Sequence, residues 1–508
     1  MAVVERTTEV DEAGLAALRT PRSDLLTERV DGTDQWTIES GPFKRYQRVL
    51  TVSDLPATAT GTPRYRVTER TDYKIGVPLW WPYLWLPFRL ALADQNRTPR
   101  RRWWWPREVV TAETATLIAH LGTIGMMAGF MGVLIGQTIT FAARDFGVAV
   151  DAQANTLAAV RVGVLLSFFF LRRADSAGRR PLILRFAFTA IIFTFAGALS
   201  PNMFALGASQ TVARGLTTGL LTLITLASTE EVPASSRALS ISFMTLCTGF
   251  GAALVVWLLR LADLFDGAWR LSYIFPLLFL PLLWWINRQL PETRRYTAAV
   301  ASDAPGPINW FRFTLISSSA FLSALYLSPA SQLRNDFLTD DRSFSAGDVS
   351  MFQLVVSLPA TVAVPIGGFI ADRYGRRWLG ASALAGSAIF SAISYQSQGL
   401  ILWLTAALSL SLGAAALTAL RGYQVELFPT KARGKVGGMI DVIGVAGSTI
   451  GLVFVGQLAV RWNDLGSAIG VLVAAPLIVA VVILVAYPET AGRELEEFNP
   501  EDPRLNSS

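Results

Sequence analysis

The sequence predicts an all-α membrane protein with twelve transmembrane helices, arranged as two pseudo-symmetric six-helix halves, and a small cytoplasmic N-terminal extension. Two observations support this fold class. Of the 508 residues, 52% are hydrophobic and only 16% are charged, a balance typical of integral membrane proteins. In addition, three short motifs recur in the same order at an almost constant offset, which indicates a duplicated helical bundle.

The repeated motifs are charged turns between hydrophobic runs. Gly368–Arg377 reads GFIADRYGRR, and a poorer copy at Leu171–Arg180 reads LRRADSAGRR. Such clusters of charge cannot lie in hydrocarbon, so each one must form a tight loop at a membrane face. The other two pairs are Glu-x-x-Pro-x-x-x-Arg at 230–237 and 426–433, and Pro-Glu-Thr at 291–293 and 488–490.

Twelve hydrophobic stretches are long enough to cross about 30 Å of hydrocarbon. They are 115–143, 153–171, 182–199, 203–227, 236–260, 270–288, 311–331, 348–370, 379–397, 400–424, 436–460 and 465–487. The predicted halves are therefore 114–288 and 310–488, joined by a polar cytoplasmic linker at 289–309 and followed by a cytoplasmic tail at 489–508.

Arginine and lysine are unevenly divided between the two sides of the predicted bundle. The side that carries both repeated loops has most of these residues, so the positive-inside rule places it, with both termini, in the cytoplasm. Only four of the 44 basic residues are lysine, a composition that suggests a bacterial genome. We expect a monomer in the bacterial cytoplasmic (inner) membrane, in contact with membrane lipid.

Residues 1–113 form the predicted extension. We expect disorder or weak helix over 1–33, and the alternating patterns of 35–52 and 64–75 predict two strands. The stretch 77–108 combines prolines, tryptophans and the run Arg100–Trp105, and we interpret it as a membrane-surface anchor. The alternative is that it forms the buried core of a small domain.

The combined motifs resemble those of the major facilitator superfamily over about residues 115–495. Gly368–Arg377 resembles the signature between spans eight and nine, although Leu171 replaces the first glycine in the copy. The segments 426–434 and 488–493 resemble the sugar, organic-ion and aromatic-acid porter branches of that superfamily. The resemblance implies a rocker-switch transporter whose spans one, four, seven and ten line a central cavity.

The charged residues of the repeated loops predict a gate on the cytoplasmic side. Acids and arginines recur together at one spacing, so interlocking ion pairs between the halves are expected to hold the inside closed. An aspartate at the end of a span can also face the positive end of a helix in the opposite half. The predicted gate residues are Asp175, Arg179, Glu230, Arg237, Asp372, Arg376, Glu426 and Arg433. The alternative is that these charges only set topology.

Charged and polar residues within the spans predict a central site. Arg214 lies near the bilayer centre, where an unpaired charge costs several kcal/mol, so it must meet an acid, a carbonyl, water or an anionic substrate. Asp441 is predicted either to carry a coupled proton or to pair with Arg161 across the halves. The predicted substrate-binding residues are Arg214, Gln137, Gln210, Thr218, Tyr326 and Gln332.

These features predict a secondary transporter of a small organic solute, working by alternating access. The midplane arginines favour an organic anion, and proton symport is the expected coupling. The sequence lacks the P-loop pattern, so we expect neither an enzyme nor a nucleotide cofactor, and we predict no metal and no nucleic-acid partner. Alternatives are an exporter of drug-like or lipidic compounds, and a non-transporting sensor or scaffold with this fold.

Overall fold

The chain folds into two compact units, Met1–Thr123 and Ile124–Ser508. The computed structural model describes residues 2–56, 63–94, 109–148, 150–171, 178–258, 265, 267–292, 308–344, 346–462 and 464–500. The division between the units falls inside the first long helix, whereas the sequence places the end of the extension at residue 113. Each unit is described by itself.

The N-terminal unit contains a five-stranded antiparallel sheet of order β1-β5-β4-β3-β2. Its strands are β1 Ala2–Val10, β2 Thr27–Gly32, β3 Gln35–Ser40, β4 Phe43–Leu55 and β5 Arg64–Ile75. The predicted strand over 35–52 is therefore a hairpin, broken at Gly41 and Pro42.

The prediction of disorder over residues 1–33 is wrong. This stretch contains β1, β2 and the helix α1 Glu12–Arg19, whose N-cap Asp11 accepts the Gly14 amide at 2.8 Å. β1 is polar and half exposed, so its own sequence offers little apolar burial. Its order comes from backbone pairing along the whole of its length with β5, a non-local contact that composition does not reveal.

Two helices cover one face of the sheet. The first is α1, and the second is α2 Trp81–Ala93. Leu15 and Leu18 of α1 pack against Trp36 and Leu50, and Phe88 of α2 packs in a second cluster of the same unit. Part of the predicted anchor 77–108 is thus domain core, as the alternative proposed, while Arg100–Trp105 lies outside the described residues.

An ion-pair cluster lies in this core. Arg48 and Glu28 form a bidentate pair at 2.7 and 2.8 Å, and both side chains are fully buried. The Tyr46 hydroxyl donates to Glu28 at 2.5 Å, and the Arg22 amide donates at 2.7 Å. Burial acts to raise the pKa of Glu28, but these donors, with Arg48 first among them, hold that pKa below its ordinary value.

The membrane part is helical from Ala112 onward. Its first half contains α3 Ala112–Asp145, α4 Val150–Leu171, α5 Arg179–Ala196, α6 Met203–Glu231, α7 Arg237–Leu258, α8 Arg270–Ile274 and α9 Phe279–Asn287. Its second half contains α10 Trp310–Gln332, α11 Ala346–Tyr374, α12 Arg376–Gln396, α13 Gly399–Glu426, α14 Arg433–Trp462, α15 Leu465–Val471, α16 Ala474–Ala486 and the short α17 Leu495–Phe498.

Within the described residues, eleven helices or helix pairs are long and apolar enough to cross a membrane. They include every predicted stretch except the second, which corresponds to α4. The helical membrane architecture of the prediction is therefore confirmed, and the count of twelve spans stays a prediction.

The two halves share one local device at corresponding positions. Glu292 accepts the backbone amides of Arg179 and Arg180 at 3.0 and 3.1 Å, at the start of α5. Glu489 accepts those of Arg376 and Arg377 at 2.9 and 3.1 Å, at the start of α12. A carboxylate at a helix N-terminus satisfies amides that lack partners within the helix. Both contacts follow directly from the repeated Pro-Glu-Thr motif.

The turns before these helices need glycine. Gly178 and Gly375 have φ of 87° and 114°, a region that residues with a Cβ rarely adopt. At Gly375 an added Cβ would also lie 2.7 Å from a Glu489 carboxylate oxygen. The glycine thus lets the chain turn sharply and lets the capping carboxylate approach.

Candidate functional site

The first part of the site is a cluster of buried charges, which we call the gate. It lies where α5, α6, α7, α11, α12, α13 and α14 reach the end of the bundle that carries the repeated turns. Seven of the eight predicted gate residues are described, and each exposes at most 7% of its surface. Asp175, the eighth, lies outside the described residues.

Glu230 is the centre of one group of gate contacts. Its carboxylate pairs with Arg179 of the same half at 3.4 Å and with Arg433 of the other half at 3.3 Å. Arg179 also donates across the halves, to the carbonyl of Thr430 at 2.7 Å. The first repeat is thereby joined to the Glu426–Arg433 loop of the second.

Asp372 and Glu426 form the second group. Asp372 accepts the amides of Ala238 and Leu239 at 3.1 and 2.9 Å, so it lies at the N-terminus of α7 in the opposite half. The N-terminus of a helix favours a negative charge, because the positive end of the helix dipole lies there and the first backbone amides have no partner within the helix. Arg376 connects the group by pairing with Asp372 at 2.8 Å and with Glu426.

Arg237 extends this group to the C-terminal tail. It lies 3.7 Å from Glu426, donates to the carbonyl of Arg493 at 2.9 Å and pairs with Glu494 at 3.1 Å. The tail is itself anchored, since the Asn499 amide donates to the Glu426 carbonyl at 2.9 Å. One buried arginine of the first half thus contacts both a loop and the tail of the second.

Burial changes the energetics of these contacts. Solvent-exposed pairs contribute about 0–1 kcal/mol each, but removing one partner of a buried pair costs roughly 3–5 kcal/mol because a charge is left without compensation. Separating the halves at this cluster would therefore require water or new partners for these groups.

The second part of the site is a layer of polar side chains deeper in the bundle. Arg214 of α6 is half-buried and donates to the carbonyl of Gly132 in α3. Arg161 of α4 is exposed and close enough to act electrostatically on Arg214. Neither has an acidic partner among the described residues. A charge within a spanning helix is costly in hydrocarbon, so we expect these arginines to meet water, a carbonyl or a counter-charge.

Asp441 of α14 does not pair with Arg161. Its carboxylate accepts the hydroxyl of Thr222 in α6 at 3.1 Å, and the arginine that acts on it electrostatically is Arg421 of α13. Arg421 is exposed and was missed by the sequence reasoning, because it stands near the predicted end of span ten, where a charge is expected to belong to the loop.

The helix rise gives the depth of these groups. At 1.5 Å per residue, Thr222 is about 12 Å from Glu230 along α6, and Arg214 is about 24 Å from it. Asp441 is likewise about 12 Å along α14 from Arg433. The acid therefore lies between the arginine layer and the gate, at a point where the two halves touch.

Two predicted substrate-binding residues are occupied by structural contacts. Gln210 is buried and donates to the carbonyl of Phe193 at 3.3 Å. Tyr326 is buried and donates to the carbonyl of Ala388 at 3.1 Å. Their polar atoms hold neighbouring helices together, so we leave both out of the proposed binding site.

The remaining predicted residues are more accessible. Gln137 is exposed near the end of the α3 span, and Thr218 is half-buried one turn from Arg214. Gln332 is exposed and donates to Ser328, which lies 2.5 Å from Ser448 of α14. The structure does not bring Gln332 into contact with the arginine layer.

Comparison with known proteins agrees with this architecture. Residues 313–505 match the family model of the Major Facilitator Superfamily. The chain is 24% identical over 357 residues to the sialic acid transporter NanX of Escherichia coli (strain K12), covering 68% of this chain and 86% of NanX. It is 26% identical over 124 residues to a citrate-proton symporter of Klebsiella pneumoniae, covering 22% of this chain and 27% of that protein.

Solved structures agree in fold. The proton:xylose symporter XylE, bound to 6-bromo-6-deoxy-D-glucose, superposes with a TM-score of 0.65 at 16% identity. The match covers 77% of this chain and 99% of XylE. At this level of identity the likeness shows the fold alone.

Proposed function

Since this chain belongs to the major facilitator superfamily of secondary transporters, we propose that it moves a small organic anion by proton-coupled symport. The direction is into the cytoplasm, with the repeated turns and both termini on the cytoplasmic side. In the proposed cycle, the state with these gate contacts is the one closed to the cytoplasm. Transport alternates this state with one in which the gate is open.

The observation that supports an anion is the pair Arg161 and Arg214. Both lie within the spans of the first half, close enough to repel one another, and no described acid compensates them. Positive charge within membrane spans is costly without a counter-charge. A substrate carboxylate supplies that charge and accepts hydrogen bonds in the planar geometry that guanidinium groups favour. The relatives named above that transport sialic acid and citrate are consistent with an organic acid.

Asp441 is the proposed proton carrier. It bridges to Thr222 across the halves, between the binding layer and the gate. Protonation of the Asp441 carboxylate removes the negative charge that Arg421 compensates. It also makes this carboxylate a weaker acceptor for the Thr222 hydroxyl. The contact between the halves nearest the gate is then loosened, so proton binding favours inward opening. Release of the proton to the cytoplasm restores the bridge and resets the carrier.

The test is uptake by the purified full chain in proteoliposomes. Radiolabelled sialic acid and citrate serve as anionic probes, and xylose serves as the neutral probe. Arg214→Ala and Arg161→Ala should each reduce uptake of the transported anion by about 10–100-fold, because a charge-assisted hydrogen bond contributes about 1.5–3 kcal/mol. Arg185→Ala is the matched control, since this exposed arginine lies away from the layer.

The coupling is tested separately with Asp441→Asn. This variant should lose uptake driven by an imposed proton gradient and keep exchange of internal for external substrate. Unchanged anion uptake in both arginine variants would refute the anion site. Gradient-driven uptake that survives in Asp441→Asn would refute the coupling role alone. Binding without flux of any probe would favour the sensor or scaffold.

A further inference from the structure

The helix α2 is apolar on both of its faces. One face, with Phe88, Ala91 and Leu92, is buried in the core of the N-terminal unit. The opposite face carries Tyr83 and Leu86, which are 72% and 54% exposed, and Leu90, which is 61% exposed. These residues stand at steps of three and four, so they form one continuous stripe. A helix of 13 residues is about 20 Å long and too short to cross the bilayer.

The start of α2 is fixed against the first membrane helix. The Trp80 indole donates to the hydroxyl of Thr123 at 3.0 Å, and the Thr116 hydroxyl donates to the carbonyl of Gly76 at 2.6 Å. Val77 packs in one cluster with Ala115 and Ala119 of α3. These contacts lie within a single compact unit of the structure.

This attachment sets the depth of α2 relative to the membrane. The 34 residues of α3 extend about 51 Å, well beyond the roughly 30 Å of hydrocarbon, and the charged Glu113 in its first turn cannot lie in hydrocarbon, so this turn stands among the lipid headgroups. Thr116 and Thr123 are about 6 and 16 Å along the helix from Ala112. The start of α2 is thereby held close to the level where headgroups meet hydrocarbon.

We propose that the exposed stripe Tyr83, Leu86 and Leu90 inserts into the headgroup–acyl boundary of the surrounding bilayer, so that α2 is an interfacial helix. The residues at its edges fit this position. Trp81 is 52% exposed, and amphipathic aromatic rings favour the interface. Arg89 is exposed, lies over the Trp85 ring and can reach a lipid phosphate while its stem covers apolar surface. The N-terminal unit is thus attached to the membrane by a second contact besides the chain itself.

Spin labels on single cysteines test the depth directly. In a Cys247→Ala background, labels are placed at Leu86→Cys and Leu90→Cys in the full chain, reconstituted into nanodiscs of zwitterionic and anionic lipid. Val30→Cys is the matched control, because Val30 is an equally exposed apolar residue on β2. Labels at 86 and 90 should be quenched at least threefold more by oxygen than by a water-soluble nickel chelate. The label at 30 should show the reverse preference.

Two outcomes would overturn the proposal: aqueous accessibility at positions 86 and 90, or shielding from both reagents, which would indicate a protein contact. The unmodified protein provides a second measurement that does not depend on variant folding. A photoactivatable lipid should label the peptide containing residues 81–90 and leave the peptide containing β2 and β3 unlabelled. Equal labelling of both peptides, or none in 81–90, counts against insertion. Neither readout depends on transport.

Discussion

Ion pairs are buried in two regions of this molecule, the N-terminal sheet and the gate, and their geometry differs. In the sheet, Arg48 and Glu28 form two bonds of 2.7 and 2.8 Å, with a tyrosine hydroxyl as a further donor, and Glu69 adds a longer contact with Arg48 at 3.7 Å. At the gate, the two buried pairs that join the halves measure 3.3 and 3.7 Å and share their carboxylates with other arginines. The first arrangement suits a contact that stays closed. The second suits contacts that separate and re-form during each transport cycle.

The comparison also separates two uses of a buried charge. The sheet pair fixes one structure, because every alternative leaves a desolvated group without a partner. At the gate, several weaker ion pairs act together. We therefore expect no single pair to supply the whole free-energy difference between the open and closed states. The three predictions below test this difference, from the largest expected effect to the smallest.

Glu28→Gln should have the largest effect. It removes the bidentate partner of the buried Arg48 and leaves only Glu69, 3.7 Å away, so the free energy of unfolding of the N-terminal unit should fall by about 3 kcal/mol. Because the folded-state pKa of Glu28 is lowered, this stabilisation is complete above pH 4.5 and is lost as the pH falls below that value. Hydrogen exchange of β2 and β4 amides in the full chain at neutral pH measures the loss in the variant.

The control for this prediction is Glu12→Gln, which removes an exposed carboxylate from α1 of the same unit. It should change protection of those amides by less than about 0.5 kcal/mol. Pepsin cleavage within β2 and β4 should rise as wild-type protein is acidified below pH 4.5. Equal protection in the two variants would show that the buried pair does not stabilise the sheet.

Glu426→Gln tests the gate. Arg376 and Arg237 each lose one of two charged acceptors, while Arg376 keeps Asp372 and Arg237 keeps Glu494. The closed state should therefore be weakened by about 1.5–3 kcal/mol, less than the loss in the sheet. Labelling of Thr225→Cys, introduced behind the gate, by a membrane-impermeant thiol reagent added on the cytoplasmic side should rise about 10–100-fold.

Glu426→Asp keeps the charge and provides the control, with labelling close to that of the parent. Labelling in Glu426→Gln that equals this control would mean that the gate does not depend on the ion pair. If Glu426→Gln lowers the amount of protein in the membrane and does not speed labelling, the ion pairs of Glu426 are permanent structural contacts, like the Arg48–Glu28 pair of the sheet.

Glu494→Gln should have the smallest effect at the gate. The Glu494 side chain is 49% exposed, so water replaces its contact with Arg237, and the change should stay below about 1 kcal/mol. Labelling of Thr225→Cys should rise less than about fivefold. A rise as large as that in Glu426→Gln would show that the tail, and not the buried pair, holds the halves together.

The sequence was informative where local pattern decides structure. Hydrophobic length predicted the membrane helices, and the recurrence of acids with arginines predicted that Asp372, Arg376 and Glu426 belong to one charged cluster. The burial of these charges was not predictable, because it depends on how closely α7 and α11 approach. That approach relies on Gly368, whose added Cβ would lie 2.0 Å from the Ser242 hydroxyl oxygen.

The sequence was less informative where distant segments decide. β1 looks disordered by composition and is ordered by its pairing with β5. Gln210 and Tyr326 occur at positions that suit a cavity wall, yet their polar atoms bond to carbonyls of neighbouring helices. Arg421 lies near the end of the predicted span 400–424, and the acid on which it acts, Asp441, stands in the following span. In each case the deciding contact is many residues away along the chain.

The capping carboxylates Glu292 and Glu489 make each repeat self-sufficient at this turn. Each one follows the last membrane helix of its own repeat and caps the third helix of that same repeat. Neither repeat therefore borrows a residue from the other to terminate this helix.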